Sequence, residues 1–157
     1  MSHAESAARS LERRIGVQSP PGDWFVVTQD RIDRFADATL DDQFIHTDPD
    51  RAAATPLGGT IAHGMLTLSL IRPLLASSPS EPLPAEGLTM EINYGFDRVR
   101  FVEPVPTGSR VRAASVITAV EQRELAVQVV QRVTVEIEGS DRPALVADWI
   151  GRLMYES

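Results

Sequence analysis

Apolar and polar positions alternate most regularly in the second half of the chain. Val127, Val129, Val133, Val135 and Ile137 share one parity, as a strand buried on one face requires. Similar patterning predicts strands over 88–96, 98–101, 110–120, 125–137 and 145–153, with turns at Pro104 to Gly108 and Gly139 to Pro143. Upstream the period lengthens. Thr28 reads as the N-cap of a helix over 29–38 that gathers Ile32, Phe35 and Ala36 on one face. Arg31 at the third helical position leaves that start without a capping box. Asp48 and Pro49 begin a second, short helix over 49–54. The third is predicted over 61–75, where Ile61, Met65, Leu66, Leu68, Leu70 and Ile71 leave little polar face. A helix of that kind has to be wrapped by other structure. Gly64 inside it costs about 1 kcal/mol relative to Ala, so a close approach by a ligand or another backbone is expected there.

The remaining segments are less patterned. Trp24 to Val27 is a short strand candidate, and Ser77 to Pro84 is a Ser- and Pro-rich loop. Residues 1–20 form a charged leader ending in Pro20-Pro21. A short helix over 4–15, disorder, or packing on a partner all fit it. A strand, then helices, then a run of long antiparallel strands gives an α+β fold with helices on one sheet face. With 157 residues, one domain over 21–157 is expected.

Composition narrows the function. The net charge of −7 argues against a nucleic-acid role, which needs a basic footprint. No apolar run approaches the roughly 20 residues of a bilayer helix, and the polar start has no signal-peptide core, so no membrane association is expected and the cytoplasm is the default location. The absence of cysteine excludes disulfides and thiolate chemistry.

The candidate chemistry lies between Asp41 and Leu70. Two of the three histidines and three of the ten glycines fall here. Asp41 and His46 flank the loop between two predicted helices, and Gly58-Gly59 leads into Ile61-Ala62-His63-Gly64. On residue types alone the plain readings are a helix-end aspartate, a packed histidine and a glycine at a helix–strand contact. Asp42 competes with Asp41 for any acidic role. A metal set of Asp41, His46 and His63 is possible in composition, but it lacks the spacing of recognised zinc motifs, so no metal is expected.

The frame Asp41-Asp42-Gln43-Phe44-Ile45-His46, followed by Ile61-Ala62-His63-Gly64-Met65-Leu66, resembles the MaoC-like dehydratases, the (R)-specific enoyl-CoA hydratases of the hotdog fold. That family carries Asp-x-Asn-Pro-aliphatic-His. Gln43 and Phe44 stand here for Asn and Pro, as in the branch of nodulation protein N relatives. The resemblance spans 24–153.

It implies an antiparallel sheet wrapped around the apolar helix, a homodimer, and hydration of trans-2-enoyl-CoA to (R)-3-hydroxyacyl-CoA. It assigns Asp41 and His46 to a shared water and the Gly64 N–H to the thioester oxygen. Gln43, Ile61, His63, Tyr94 and Arg98 are expected to contact substrate. Charge at Asp97, Arg98, Arg100 and Arg110 is either a solvated strand edge or a grip on coenzyme phosphates. No cofactor is expected, because coenzyme A, or an acyl carrier protein, arrives with the substrate. A hotdog thioesterase and a non-catalytic acyl-binding subunit of a heteromeric dehydratase remain as alternatives.

Overall fold

The computed structural model describes residues 1–156. Four long strands, β2 (Leu88–Phe101), β3 (Arg110–Gln122), β4 (Ala126–Ile137) and β5 (Leu145–Tyr155), join the short β1 (Phe25–Val26) in one antiparallel sheet of order β1-β3-β4-β5-β2. Val133 sits opposite both Ser115 and Ala147, which fixes the side-chain parity of the three central strands. The single-parity valines all point to the helix side and are buried.

On that side lie α5 (Gly64–Ser69) and α6 (Ile71–Ala76). Leu66, Leu70, Ile71 and Leu74 pack with Val111, Ala113, Val133, Val135, Leu145 and Ala147 in one core. The sheet thus curls around an apolar helix, as the absence of a polar helix face predicted. The leader is helical from His3 to Glu12, as α1, and packs on this chain's own sheet. Ser2 and Glu5 form a reciprocal capping box at its start. Ala4, Ala7, Ala8 and Leu11 are buried against Ile117, Val127, Val129, Leu153 and Tyr155, which form a second core at the far end of the sheet.

Three local expectations are corrected. The central helix begins at Gly64, not at residue 61. Ile61 N–H donates to the Ile45 carbonyl at 3.0 Å and Ala62 N–H to the Val105 carbonyl at 2.8 Å, which holds this stretch extended. Gly64 is therefore the first helical residue, and no mid-helix penalty applies to it. The helix also breaks at Leu70. Pro73 has no N–H to give the Ser69 carbonyl, and its ring crowds that oxygen. Finally, 88–101 is one strand. Register shifts between Asn93 and Gly95 and between Asp97 and Arg100 take up the interruption, with Arg98 at a φ of 52°.

Candidate active site

Helix α2 (Gln29–Thr39) brings the chain to the site. Thr28 caps it by accepting from Arg31 N–H at 3.3 Å. Leu40 ends it in the left-handed region, at a φ of 59° and 87% exposed. That residue turns the chain so that Asp41 follows directly, its N–H on the Ala36 carbonyl at 3.2 Å. The turn α3 (Phe44–Thr47) then carries His46, and Asp48 caps α4 (Pro49–Ala53) through Arg51 N–H at 3.0 Å.

His46 is 7% exposed and His63 is 2% exposed. Their rings stack with centroids 3.8 Å apart and planes 24° from parallel, and Phe35 packs on His63. His46 Nδ1 lies 2.7 Å from the Ile61 carbonyl oxygen. A carbonyl only accepts, so Nδ1 holds the proton, and in the neutral ring Nε2 keeps its lone pair. His63 Nε2 lies 2.8 Å from the Asp41 carbonyl oxygen and is likewise the protonated nitrogen. Its Nδ1 is buried with no protein partner among the described residues. The Asp41 carboxylate, one ring nitrogen of His46 and one of His63 all lie within 4.8 Å of one another, with Asp41 exposed to solvent.

The three could hold a metal ion in number, or share a water. Each imidazole spends one nitrogen on a carbonyl, which fixes its ring and leaves the other nitrogen for such a partner.

The structure separates Asp41 from its rival. Asp42 faces a different surface depression, lined by Asp33, Asp37 and Thr47, and its own carbonyl accepts from Thr47 Oγ1 at 3.0 Å. Gly64 stands next to His63 at the start of α5, and its N–H has no helical acceptor, as for any first-turn amide. A Cβ on Gly64 would lie 2.8 Å from the ring of Phe101, so that half-exposed ring covers the glycine closely. Ile61 contributes its backbone carbonyl, and Gln43 begins α3 with an exposed side chain.

Tyr94 and Arg98 are not brought to this group. The Arg152 guanidinium lies 3.4 Å from the centroid of the Tyr94 ring. Arg98 reaches Asp148 at 3.4 Å, and Arg132 holds the same carboxylate at 2.9 Å. Asp148 alternates with Ala147 and Trp149, which face the core, so its pair with Arg98 lies on the sheet face away from the helices. The sequence also gave no sign of Gln29. Its amide nitrogen donates to the His46 carbonyl at 2.7 Å, and its oxygen accepts from Thr60 at 2.6 Å and Thr107 at 3.2 Å. One side chain thus ties α2, α3 and the two loops beside them together.

The family model for the MaoC like domain matches residues 12–139. The chain is 46% identical over 154 residues to nodulation protein N of Rhizobium leguminosarum bv. viciae, covering 97% of this chain and 94% of that protein. It is also 46% identical over 149 residues to 3-hydroxyacyl-thioester dehydratase Z of Mycobacterium tuberculosis (strain ATCC 25618 / H37Rv), covering 94% and 95% respectively. Among solved structures it is similar to the (R)-hydratase from A. caviae involved in PHA biosynthesis, with a TM-score of 0.66 and 26% identity over 87% of this chain and 94% of that one. With a family match over most of its length and relatives at this identity, the chain belongs to the MaoC-like dehydratase family.

Proposed function

We propose that the protein is a hydro-lyase that interconverts a trans-2-enoyl thioester and water with the (R)-3-hydroxyacyl thioester. One observation carries this reading: the Asp41 carboxylate and a ring nitrogen of His46 lie within 4.8 Å of each other, while the Nδ1 proton held on the Ile61 carbonyl leaves the His46 Nε2 as a lone-pair acceptor. That relatives of nearly the same length include a 3-hydroxyacyl-thioester dehydratase agrees with it.

Hydration adds the water oxygen to C3 of the enoyl group and a proton to C2. A water held between Asp41 and His46 Nε2 loses a proton to this pair as its oxygen bonds to C3, and the pair returns a proton to C2. Charge that reaches the thioester oxygen in passing is met by the Gly64 N–H at the helix start. The reverse sequence removes water. Asp41, His46 and Gly64 act without a cofactor, and coenzyme A or an acyl carrier protein enters as the carrier of the acyl group. His63 holds the Asp41 backbone and stacks on His46, so it positions the pair.

The active form is a homodimer. β2 is a 14-residue sheet edge with Met90, Ile92, Tyr94 and Phe101 exposed along it. A long unpaired edge of this kind invites pairing with a second copy. No described helix is long and apolar enough to cross a membrane. The cytoplasm is the proposed location, because a highly charged coenzyme thioester does not pass membranes unaided.

The test is loss of enoyl-thioester absorbance on adding purified protein to trans-2-enoyl-CoA, with chiral analysis of the product. Formation of the (R) isomer supports the assignment. The (S) isomer or a racemate overturns the stereochemistry, and release of free thiol without hydration points to a thioesterase instead.

A further inference from the structure

A cavity of about 540 Å³ lies between α6, the segment after α1 and the helix side of the sheet. Leu75, Ile117, Val129, Trp149 and Leu153 give it apolar walls. Its outer wall is fixed in place by Arg14, whose guanidinium donates to the carbonyls of Glu81 at 2.7 Å and Pro82 at 3.1 Å. The size falls within the usual range for small-molecule sites.

The cavity lies in line with the reacting centre. Gly64, Leu68, Arg72 and Leu75 are spaced i, i+4, i+8 and i+11, so they fall on one side of α5 and α6. Leu70 keeps right-handed helical angles, so the stripe continues through the break. Arg72 and Leu75 already line the cavity, and eight residues from Gly64 to Arg72 rise about 12 Å. An acyl chain whose thioester meets Gly64 and which follows this stripe ends in the cavity.

The inner wall is not uniformly apolar. Ser115 of β3 and Gln131 of β4 both line it, and Ser115 Oγ donates to Gln131 Oε1 at 3.0 Å. The Gln131 amide nitrogen has no protein partner among the described residues. A plain alkyl tail laid over this pair would strip water from those N–H groups and offer no acceptor in return. A hydroxyl both donates and accepts, so it satisfies the Gln131 amide in either of its two orientations. A carboxylate only accepts, so it fits just one of those two orientations.

We infer that the preferred substrate is an enoyl thioester whose acyl chain carries a neutral hydroxyl in its distal part, recognised by the Ser115–Gln131 pair. This rests on the hydratase reading above. Gln131 is then a specificity-determining residue remote from the chemistry.

The experiment compares kcat/KM for a medium-chain trans-2-enoyl-CoA with a set of its isomers, each bearing one hydroxyl in the distal half of the chain. At least one isomer should exceed the unsubstituted chain by roughly tenfold, the effect of one well-made hydrogen bond in a desolvated site. Gln131→Leu and Gln131→Met should erase that preference, lowering kcat/KM for the favoured hydroxylated isomer by roughly tenfold relative to the unsubstituted chain, which no longer has to desolvate an amide. If no hydroxylated isomer is preferred by the wild-type protein, the inference is overturned, whatever the variants do. It is also overturned if both variants lower the two classes of substrate equally. Hydration of the unsubstituted chain without any hydroxyl preference refutes the inference alone; failure to hydrate any enoyl-CoA refutes the hydratase reading with it.

Discussion

At the scale of single residues, the site is a small set of carbonyl-directed contacts. Two backbone oxygens, of Ile61 and Asp41, fix which nitrogen of each imidazole carries the proton. Gln29 fixes the loops that carry those oxygens. Replacing it with Leu removes the donor that the His46 carbonyl accepts from, worth about 1–3 kcal/mol when a buried group is left unsatisfied, while Thr60 keeps the Thr107 hydroxyl at 2.8 Å. Chemical denaturation of Gln29→Leu should therefore show a loss of about 1–3 kcal/mol, and turnover should fall with it because His46 is no longer held. A stability within 0.5 kcal/mol of wild type, about the range of an ordinary surface change, would refute the bracing role. Leu40 is the opposite case. Its left-handed backbone costs about 1–2 kcal/mol for a residue with a Cβ. Leu40→Gly should raise the denaturation midpoint, and an unchanged or lowered midpoint would show that the exposed side chain contributes contacts of its own. Neither residue could be picked out from the sequence. The partners of Gln29 lie 17, 31 and 78 positions away, and local patterning carries no information at such separations.

At the scale of elements, the period-2 strands and the apolar helix were legible because burial on one face imposes its pattern directly. Val133 and Val135 are fully buried, as their parity required. The ends were less legible. The start of the central helix depends on hydrogen bonds from Ile61 and Ala62 to Ile45 and Val105, which no local propensity encodes. The pairing of Asp41 with His46 was legible only through a family frame, since residue types alone left Asp42 equal to Asp41. The leader was ambiguous for a different reason. Its apolar stripe is mostly alanine, and only the sheet end that receives it shows that the stripe is buried. Leu11 is 0% exposed and anchors α1 on that sheet. Leu11→Ala should destabilise the protein by about 2–5 kcal/mol, the usual range for a buried leucine. If α1 instead contributes nothing to the fold, the denaturation midpoint will not move.

At the scale of the whole molecule, composition makes one titration unusually clean. The chain has no lysine, so the groups that ionise near pH 10 are chiefly its two tyrosines. Burial, with a smaller contribution from the Glu91 carboxylate, holds the Tyr155 phenol above its ordinary value, while its hydroxyl donates to the Pro84 carbonyl at 3.0 Å. A raised folded-state value means the neutral form is favoured in the fold. The associated stability is complete below the ordinary tyrosine range and is lost as pH rises through the folded value. Thermal melts should therefore fall above about pH 10, and Tyr155→Phe should flatten that fall while lowering stability at neutral pH. An identical alkaline profile in the variant would assign the loss to other groups.

The most direct test of the mechanism is a double-mutant cycle on the hydration of trans-2-enoyl-CoA, with Asp41→Asn, His46→Gln and the pair combined. If both side chains hold one water, each single replacement lowers kcat by at least ~10²-fold, and the double mutant is about as slow as the worse single mutant. Asp42→Asn, on the other side of the loop, should stay within roughly threefold of wild type. Single losses that multiply in the double mutant, or an Asp42→Asn protein that is inactive while Asp41→Asn is not, would contradict the shared-water pair.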